Sequence, residues 1–129
     1  MTTSSTSAAL AASTERIGAI AVVHLYGELD LATVDQVEFE LAEAADGADA
    51  LVVDLDGLAF LGSSGLSLLV GWSGRIATLR LVATRRQVLR PLQITELHRL
   101  FAIDTTVDEA LAAVRRAELA PAQQQDQGQ

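Results

Sequence analysis

The stretch from Leu51 to Leu69, LVVDLDGLAFLGSSGLSLL, constrains the fold more than any other: an apolar run reaches Gly62-Ser63-Ser64-Gly65 and passes directly into a second apolar segment. Leu51, Val52 and Val53 are apolar at consecutive positions, so both faces of a strand built from them must be covered, as in a parallel strand inside an α/β sheet. Gly62 and Gly65 permit a tight reversal, and the segment beyond reads as a helix from about Ser64 to Trp72, stopped near Gly74. A hydroxyl on such a turn stands at a helix amino terminus, where unpaired backbone N–H groups and the helix dipole favour added negative charge. Ser63 is therefore placed to act as a phosphorylation switch, with Ser64 as the second choice. The competing role is capping, with Ser64 as the N-cap and Ser63 filling the turn.

The remaining elements follow from periodicity. Glu15 to Ile17 and Ala19 to Leu25 flank Gly18 like two short strands. Thr33 with Gln36 three residues later has the form of a capping box, followed by Val34, Val37, Leu41 and Ala44 on one helical stripe until Asp46-Gly47. A strand at 50–55 leads to the serine turn and its helix. Leu79 to Ala83 fits a further strand, and Thr84 caps a helix carrying Val88, Leu89 and Leu92, in which Pro91 predicts a kink or a restart. Phe101 to Ile103 reads as a short last strand, and Thr106 with Glu109 as a second capping box before Val107, Ala110, Leu111 and Val114. Strands and helices alternate from residue 47 onward, which predicts a largely parallel sheet with right-handed crossovers.

Composition narrows the function. A length of 129 residues, 50% of them hydrophobic, suits one domain with a full core. Residues 1–12 and 119–129 are low in complexity or lack periodicity and are expected to be disordered, leaving 13–118 as the domain. No apolar run is long enough to span a bilayer and the first residues lack the form of a signal peptide, so a cytoplasmic protein without direct membrane insertion is expected. The net charge of −8 argues against nucleic acid as a partner. That charge is uneven: residues 1–60 carry eleven acids and one Arg, and residues 61–129 six acids and eight Arg. Lys and Cys are both absent, which removes Schiff-base, P-loop-lysine, disulfide and thiolate-metal chemistry. His24 and His98 lie far apart in sequence, so no metal site is expected from them. Trp72 reads as core, with a partner anchor as the alternative.

The order of these elements, together with Gly27-Glu28-Leu29-Asp30, Val53-Asp54-Leu55, Phe60-Leu61-Gly62-Ser63-Ser64-Gly65-Leu66 and the later Val88-Leu89 to Phe101, resembles the STAS domains. Within them the likeness is greatest to the bacterial anti-sigma factor antagonists, and it spans residues 14–116. The resemblance implies an α/β, STAS-like single domain: a mixed, mostly parallel sheet of about four to five strands packed with about four helices. It further implies a transcription regulator that binds an anti-sigma factor of the GHKL serine-kinase type and frees a sigma factor. The kinase releases it by phosphorylating the first serine of an Asp-Ser-Ser-Gly turn, which matches Ser63, and a PP2C-type phosphatase reverses the mark. The implied partner surface comprises Glu28, Asp30, Gly62, Ser63, Ser64, Gly65 and Leu66. Here Gly62 stands where the family has aspartate.

The same resemblance admits a second reading, a phosphorylation-independent adaptor subunit of a larger assembly, stressosome-like or associated with an ABC transporter. Neither reading makes the chain an enzyme or gives it a cofactor: phosphoryl transfer needs positioned cations, and this chain has no glycine-rich loop with Lys to hold ATP and Mg²⁺. A serine hydrolase is disfavoured because the nucleophile elbow requires Gly-x-Ser-x-Gly, a spacing absent from Gly62-Ser63-Ser64-Gly65.

Overall fold

The structure, a computed structural model, describes residues 2–6 and 9–119. Six strands form one sheet in sequential order: β1 (Thr2–Thr6), β2 (Leu10–Ile17), β3 (Ile20–Leu29), β4 (Ala50–Leu61), β5 (Thr78–Val82) and β6 (Ala102–Asp104). The first two pairings are antiparallel, and β3–β4, β4–β5 and β5–β6 are parallel. The sheet is thus mixed and mostly parallel, with one strand more than the sequence suggests. Four helices connect or close it: α1 (Val34–Ala45), α2 (Ser63–Ser73), α3 (Arg86–Ile94) and α4 (Val107–Leu119).

The centre is β3 beside β4. Val22, Val23, Val52 and Val53 have no exposed surface, so consecutive residues bury side chains on opposite faces, as expected for a strand covered on both sides. On one face α1, α2 and α3 pack Val37, Leu41, Leu66, Leu69, Trp72, Val88 and Leu92 over Val23, Leu51 and Val53. On the other, α4 sets Ala110, Leu111 and Val114 on Ile20, Val22, Val52 and Val82.

The expected disorder through residue 12 is not what the structure describes at its inner end. Leu10 and Ala12 are buried at alternate positions of β2, opposite Gly27 and Leu25 of β3, and β1 pairs along β2 beyond them. Alternation hidden in a run of Ala, Ser and Thr becomes a strand once a hydrophobic partner lies alongside. Of the expected tail at 119–129, Leu119 is the last residue of α4 and the remainder lies outside the described residues.

The turn at Gly18, with φ of +61°, closes the β2–β3 hairpin. β4 extends to Leu61, well past the expected end at residue 55, and bulges twice on the way: Leu55 and Asp56 of β4 oppose Leu25 alone of β3, and a second shift follows Gly27. Gly57 makes the first bulge feasible, since a Cβ there would lie 2.4 Å from the Leu25 carbonyl oxygen. These bulges set Leu61 opposite Leu29, which fixes where the following turn emerges.

Local signals at the helix ends are partly rewired. Thr33 occupies the N-cap of α1 without a side-chain cap, and its hydroxyl instead donates to the Glu28 carbonyl at 2.7 Å and accepts the Asp30 N–H at 3.1 Å. Gln36, the other half of the expected box, reaches the Leu10 carbonyl at 3.4 Å. The second box forms one of its bonds, from Glu109 N–H to the Thr106 hydroxyl at 3.0 Å, while the Glu109 carboxylate takes the Thr105 N–H. Thr84 does not cap α3, whose N-cap is Arg85; Asp56 accepts the Thr84 N–H and hydroxyl and the Arg85 N–H instead. Pro91 neither breaks nor restarts α3, which runs through it to Ile94. The residue four positions back, Gln87, is exposed, so water can serve the carbonyl that Pro91 leaves without a donor.

Two polar arrangements tie neighbouring elements together, one from the sheet to a helix and one across three strands. Arg16 reaches over the carboxyl end of α1 and donates to the carbonyls of Asp46 (2.6 Å), Ala44 (3.3 Å) and Gly47 (3.3 Å), supplying the positive charge that the last turn lacks. His24, on β3, sits between Asp54 on β4 (Nδ1 to Oδ2, 2.8 Å) and Glu15 on β2 (Nε2 to Oε1, 3.0 Å). Burial alone would lower its pKa, but hydrogen bonds and charge from the two carboxylates outweigh that, so it is raised above 6.5.

Two outcomes follow. Arg16→Ala should destabilise the fold by about 1 kcal/mol, read as a lower urea midpoint at unchanged slope. Because the folded state holds the His24 proton more tightly than the unfolded chain, the stabilisation is full below about pH 6.5 and lost as pH rises through the raised folded value. Urea titrations across this window should show that fall, and His24→Gln should remove His24's part of it.

Candidate functional site

The serine turn is built by the end of β4. Gly62 takes the N-cap of α2 at φ −93° and ψ 179°. Its N–H donates to the Leu29 carbonyl at 2.9 Å, and its carbonyl accepts the Leu66 N–H at 3.1 Å, so the turn is anchored to β3 behind and to the helix ahead. Ser63, Ser64 and Gly65 are thereby the first three helical residues, the positions whose N–H groups have no intrahelical partner. Ser64 is not the N-cap that its position suggests; no side chain caps this helix.

Neither glycine of the turn is needed for its backbone angles, since the positive-φ glycines among the described residues are Gly18, Gly27 and Gly47. Space decides Gly65. It is buried, and a Cβ there would lie 2.6 Å from Leu29 Cγ and 2.9 Å from Leu61 Cδ1. At Gly62 the nearest atom to an added Cβ is the Phe60 ring at 2.9 Å, and that ring is half exposed and free to swing.

The other candidate residues gather here with different roles. The pairing of Leu29 with Leu61 brings the Glu28–Thr33 loop alongside the turn, with Glu28 exposed opposite Phe60. Asp30 is half-buried, and its carboxylate accepts the Ala32 N–H at 3.0 Å, so it shapes the loop from within. Between them Leu31 is 82% exposed. Ser63 is exposed and Ser64 half-buried. Leu66 is 7% exposed and belongs to the core, so it contributes to a contact surface only as floor. Trp72 is also core: its indole N–H donates to Glu38 at 3.0 Å and the Arg75 guanidinium stacks 3.7 Å from its ring centre.

Sequence reasoning missed the groove beside the serine. Ser63, Leu66, Ser67 and Val70 of α2 face Thr95 and Leu97 across an apolar depression of about 330 Å³. Ser63, Ser67 and Val70 fall on one helical face, a readable stripe. The far wall comes from some thirty residues later, and no local pattern connects the two. The arrangement presents a free hydroxyl at the positive end of a helix and at the mouth of an apolar groove. A protein surface can cover such a site, and an added phosphate would make it costly to cover.

The family profile described as the STAS domain matches residues 11–110. The anti-sigma-F factor antagonist RsfB of Mycobacterium tuberculosis is 36% identical over 100 residues, covering 74% of this chain and 82% of the relative. The crystal structure of an anti-sigma factor antagonist from Mycobacterium paratuberculosis is similar at 34% identity and a TM-score of 0.77, covering 82% of this chain and 94% of that one. The unphosphorylated form of the antagonist SpoIIAA shares the fold at 23% identity and a TM-score of 0.67, over 81% of this chain and 96% of its own.

The steric account of the turn makes a testable contrast. Gly65→Ala should destabilise by about 1–3 kcal/mol through overpacking against Leu29 and Leu61. Gly62→Asp should stay within about 0.5 kcal/mol of the parent, because its backbone suits any residue and Phe60 can move. Urea midpoints of the two variants check both.

Proposed function

Since the chain belongs to the STAS domain family, we propose that it is an anti-sigma factor antagonist, binding an anti-sigma factor through the surface around the serine turn and so freeing a sigma factor in the cytoplasm. The named relatives that share more than a third of the aligned sequence carry that function in their names. The observation that carries the reading is Ser63: exposed, first in α2, beside exposed Leu31, Phe60 and Val70 and at the lip of an apolar groove.

Regulation at this site follows from charge. The anti-sigma factor is of GHKL serine-kinase type and transfers phosphate to Ser63. The added charge of about −1.5 to −2 is tolerated by the helix terminus but must be desolvated by a partner covering the apolar rim. Binding is lost while the fold remains. The domain is the substrate of this step and supplies neither ATP nor Mg²⁺. A PP2C-type phosphatase restores the hydroxyl.

Gly62 favours one further reading, because the family's aspartate before the acceptor serine is missing here: an adaptor that docks without phosphorylation. One comparison separates them. Titration against a GHKL-type anti-sigma factor should show that Ser63→Asp weakens binding roughly a hundredfold, the cost of several kcal/mol for an unmatched charge in an interface, whereas Ser63→Ala keeps it. Intact mass after incubation with that kinase and ATP should rise by one phosphate in the parent and not in Ser63→Ala. Equal binding by both variants with no mass change would replace the switch with the adaptor.

A further inference from the structure

A second groove runs along α3 and shares Thr95 with the one beside Ser63. Ala59, Phe60 and Leu61 of β4 face Gln87, Arg90, Pro91, Ile94 and Thr95 across about 360 Å³ of largely apolar space. Its apolar rim is open: Ile94 is 70% exposed and Phe60 50%. Arg86, Arg90 and Ile94 recur at four-residue spacing along one edge of α3, with Arg85 just before them, and all three arginines are exposed. None of the ion pairs among the described residues involves them. In a chain of net charge −8, this is a cationic edge beside an apolar slot whose guanidinium groups form no ion pair among the described residues.

The complementary feature is on the same chain. On α1, Asp35, Phe39 and Glu43 recur at the same four-residue spacing, all exposed, with Phe39 at 62%. Asp35 and Glu43 also take part in none of these ion pairs. Both stripes run eight residue steps, from 35 to 43 and from 86 to 94, roughly 12 Å of helix. One presents an aromatic ring between two carboxylates, and the other an apolar slot bordered by guanidinium groups. Single exposed apolar residues need no explanation, but an aromatic ring flanked by carboxylates without ion pairs, on a chain that also carries an apolar slot edged by arginines without ion pairs, does.

We infer that this chain self-associates head to tail, the Asp35–Phe39–Glu43 stripe of one copy docking into the Arg86–Arg90–Ile94 groove of the next. Phe39 enters between Phe60 and Ile94, and one of the two flanking carboxylates, a turn away, comes alongside Arg90, with Arg86 a further turn beyond it. The two surfaces are different patches, so the contact is heterologous and does not close on itself in a pair. Its consequence reaches the serine turn: Leu61, two residues before Ser63, lines this groove, so a docked neighbour narrows the approach to the hydroxyl. The inference does not rest on phosphorylation or on any anti-sigma factor.

Sedimentation of the full chain tests it. At about 0.05 M salt the weight-average mass should climb with concentration beyond twice that of the protomer, and at about 0.5 M it should fall back to one protomer, because exposed charge pairs are screened. Asp35→Arg/Phe39→Ser/Glu43→Arg destroys one patch and Arg86→Glu/Arg90→Glu the other. Each variant alone should remain a single copy. Mixed, they retain one intact patch of each kind and should form a one-to-one pair that grows no further. All these positions are exposed, and circular dichroism verifies that each variant folds. A parent that stays a single copy at every concentration, a mixture that does not pair, or a dimer that persists in both variants would overturn the inference.

Discussion

Every part of this structure depends on β3 and β4 being buried on both faces. Val22 and Val23, and Val52 and Val53 beside them, have no contact with solvent, and each consecutive pair points one side chain to each face. Strands of this kind are stable only if both faces of the sheet are covered. The chain meets the demand asymmetrically, with α1, α2 and α3 on one face and α4 alone on the other. Three helices on one side crowd their amino and carboxyl ends around the exit of the central strands, which creates the grooves flanking the serine turn.

The turn inherits its geometry from that pairing. Two bulges lengthen β4 relative to β3 until Leu61 stands opposite Leu29, and the Gly62 N–H then binds the Leu29 carbonyl. Gly65 lets α2 sit directly on Leu29 and Leu61. The result is a closely packed turn whose exposed hydroxyl is that of Ser63, since Ser64 is half-buried and Leu66 packs into the core. A charge placed on that hydroxyl therefore changes what can approach the surface without disturbing the packing that holds the surface in place.

Much of this was legible before any coordinates. The apolar runs identify the buried strands, the 3.6-residue stripes identify the helices, and Ser63 is marked by its place between the two. Several of the readings that failed share a cause: a partner outside the expected local pattern outcompeted the one within it. Thr33 and Gln36 look like a capping box, but the Glu28 carbonyl and the Leu10 carbonyl lie nearer to hand. Thr84 looks like a cap, yet Asp56 takes its N–H and hydroxyl. The segment before residue 13 looks featureless until β3 lies beside it and buries Leu10 and Ala12. His24 seems isolated in sequence, but the sheet brings Glu15 and Asp54 to its two ring nitrogens.

The amino-acid sequence by itself determined the kinds of element, their order and the residue at the strand-to-helix junction, because periodicity and glycine placement act over a few residues and need no partner. Only the tertiary structure decided that Gly62 rather than Ser64 is the N-cap of α2, that Gly65 is required for room and not for its backbone angles, and that two grooves share Thr95 at the end of α3. Those outcomes are set by distances between atoms far apart in the chain, and such distances exist only once the buried central strands have drawn the helices onto their two faces.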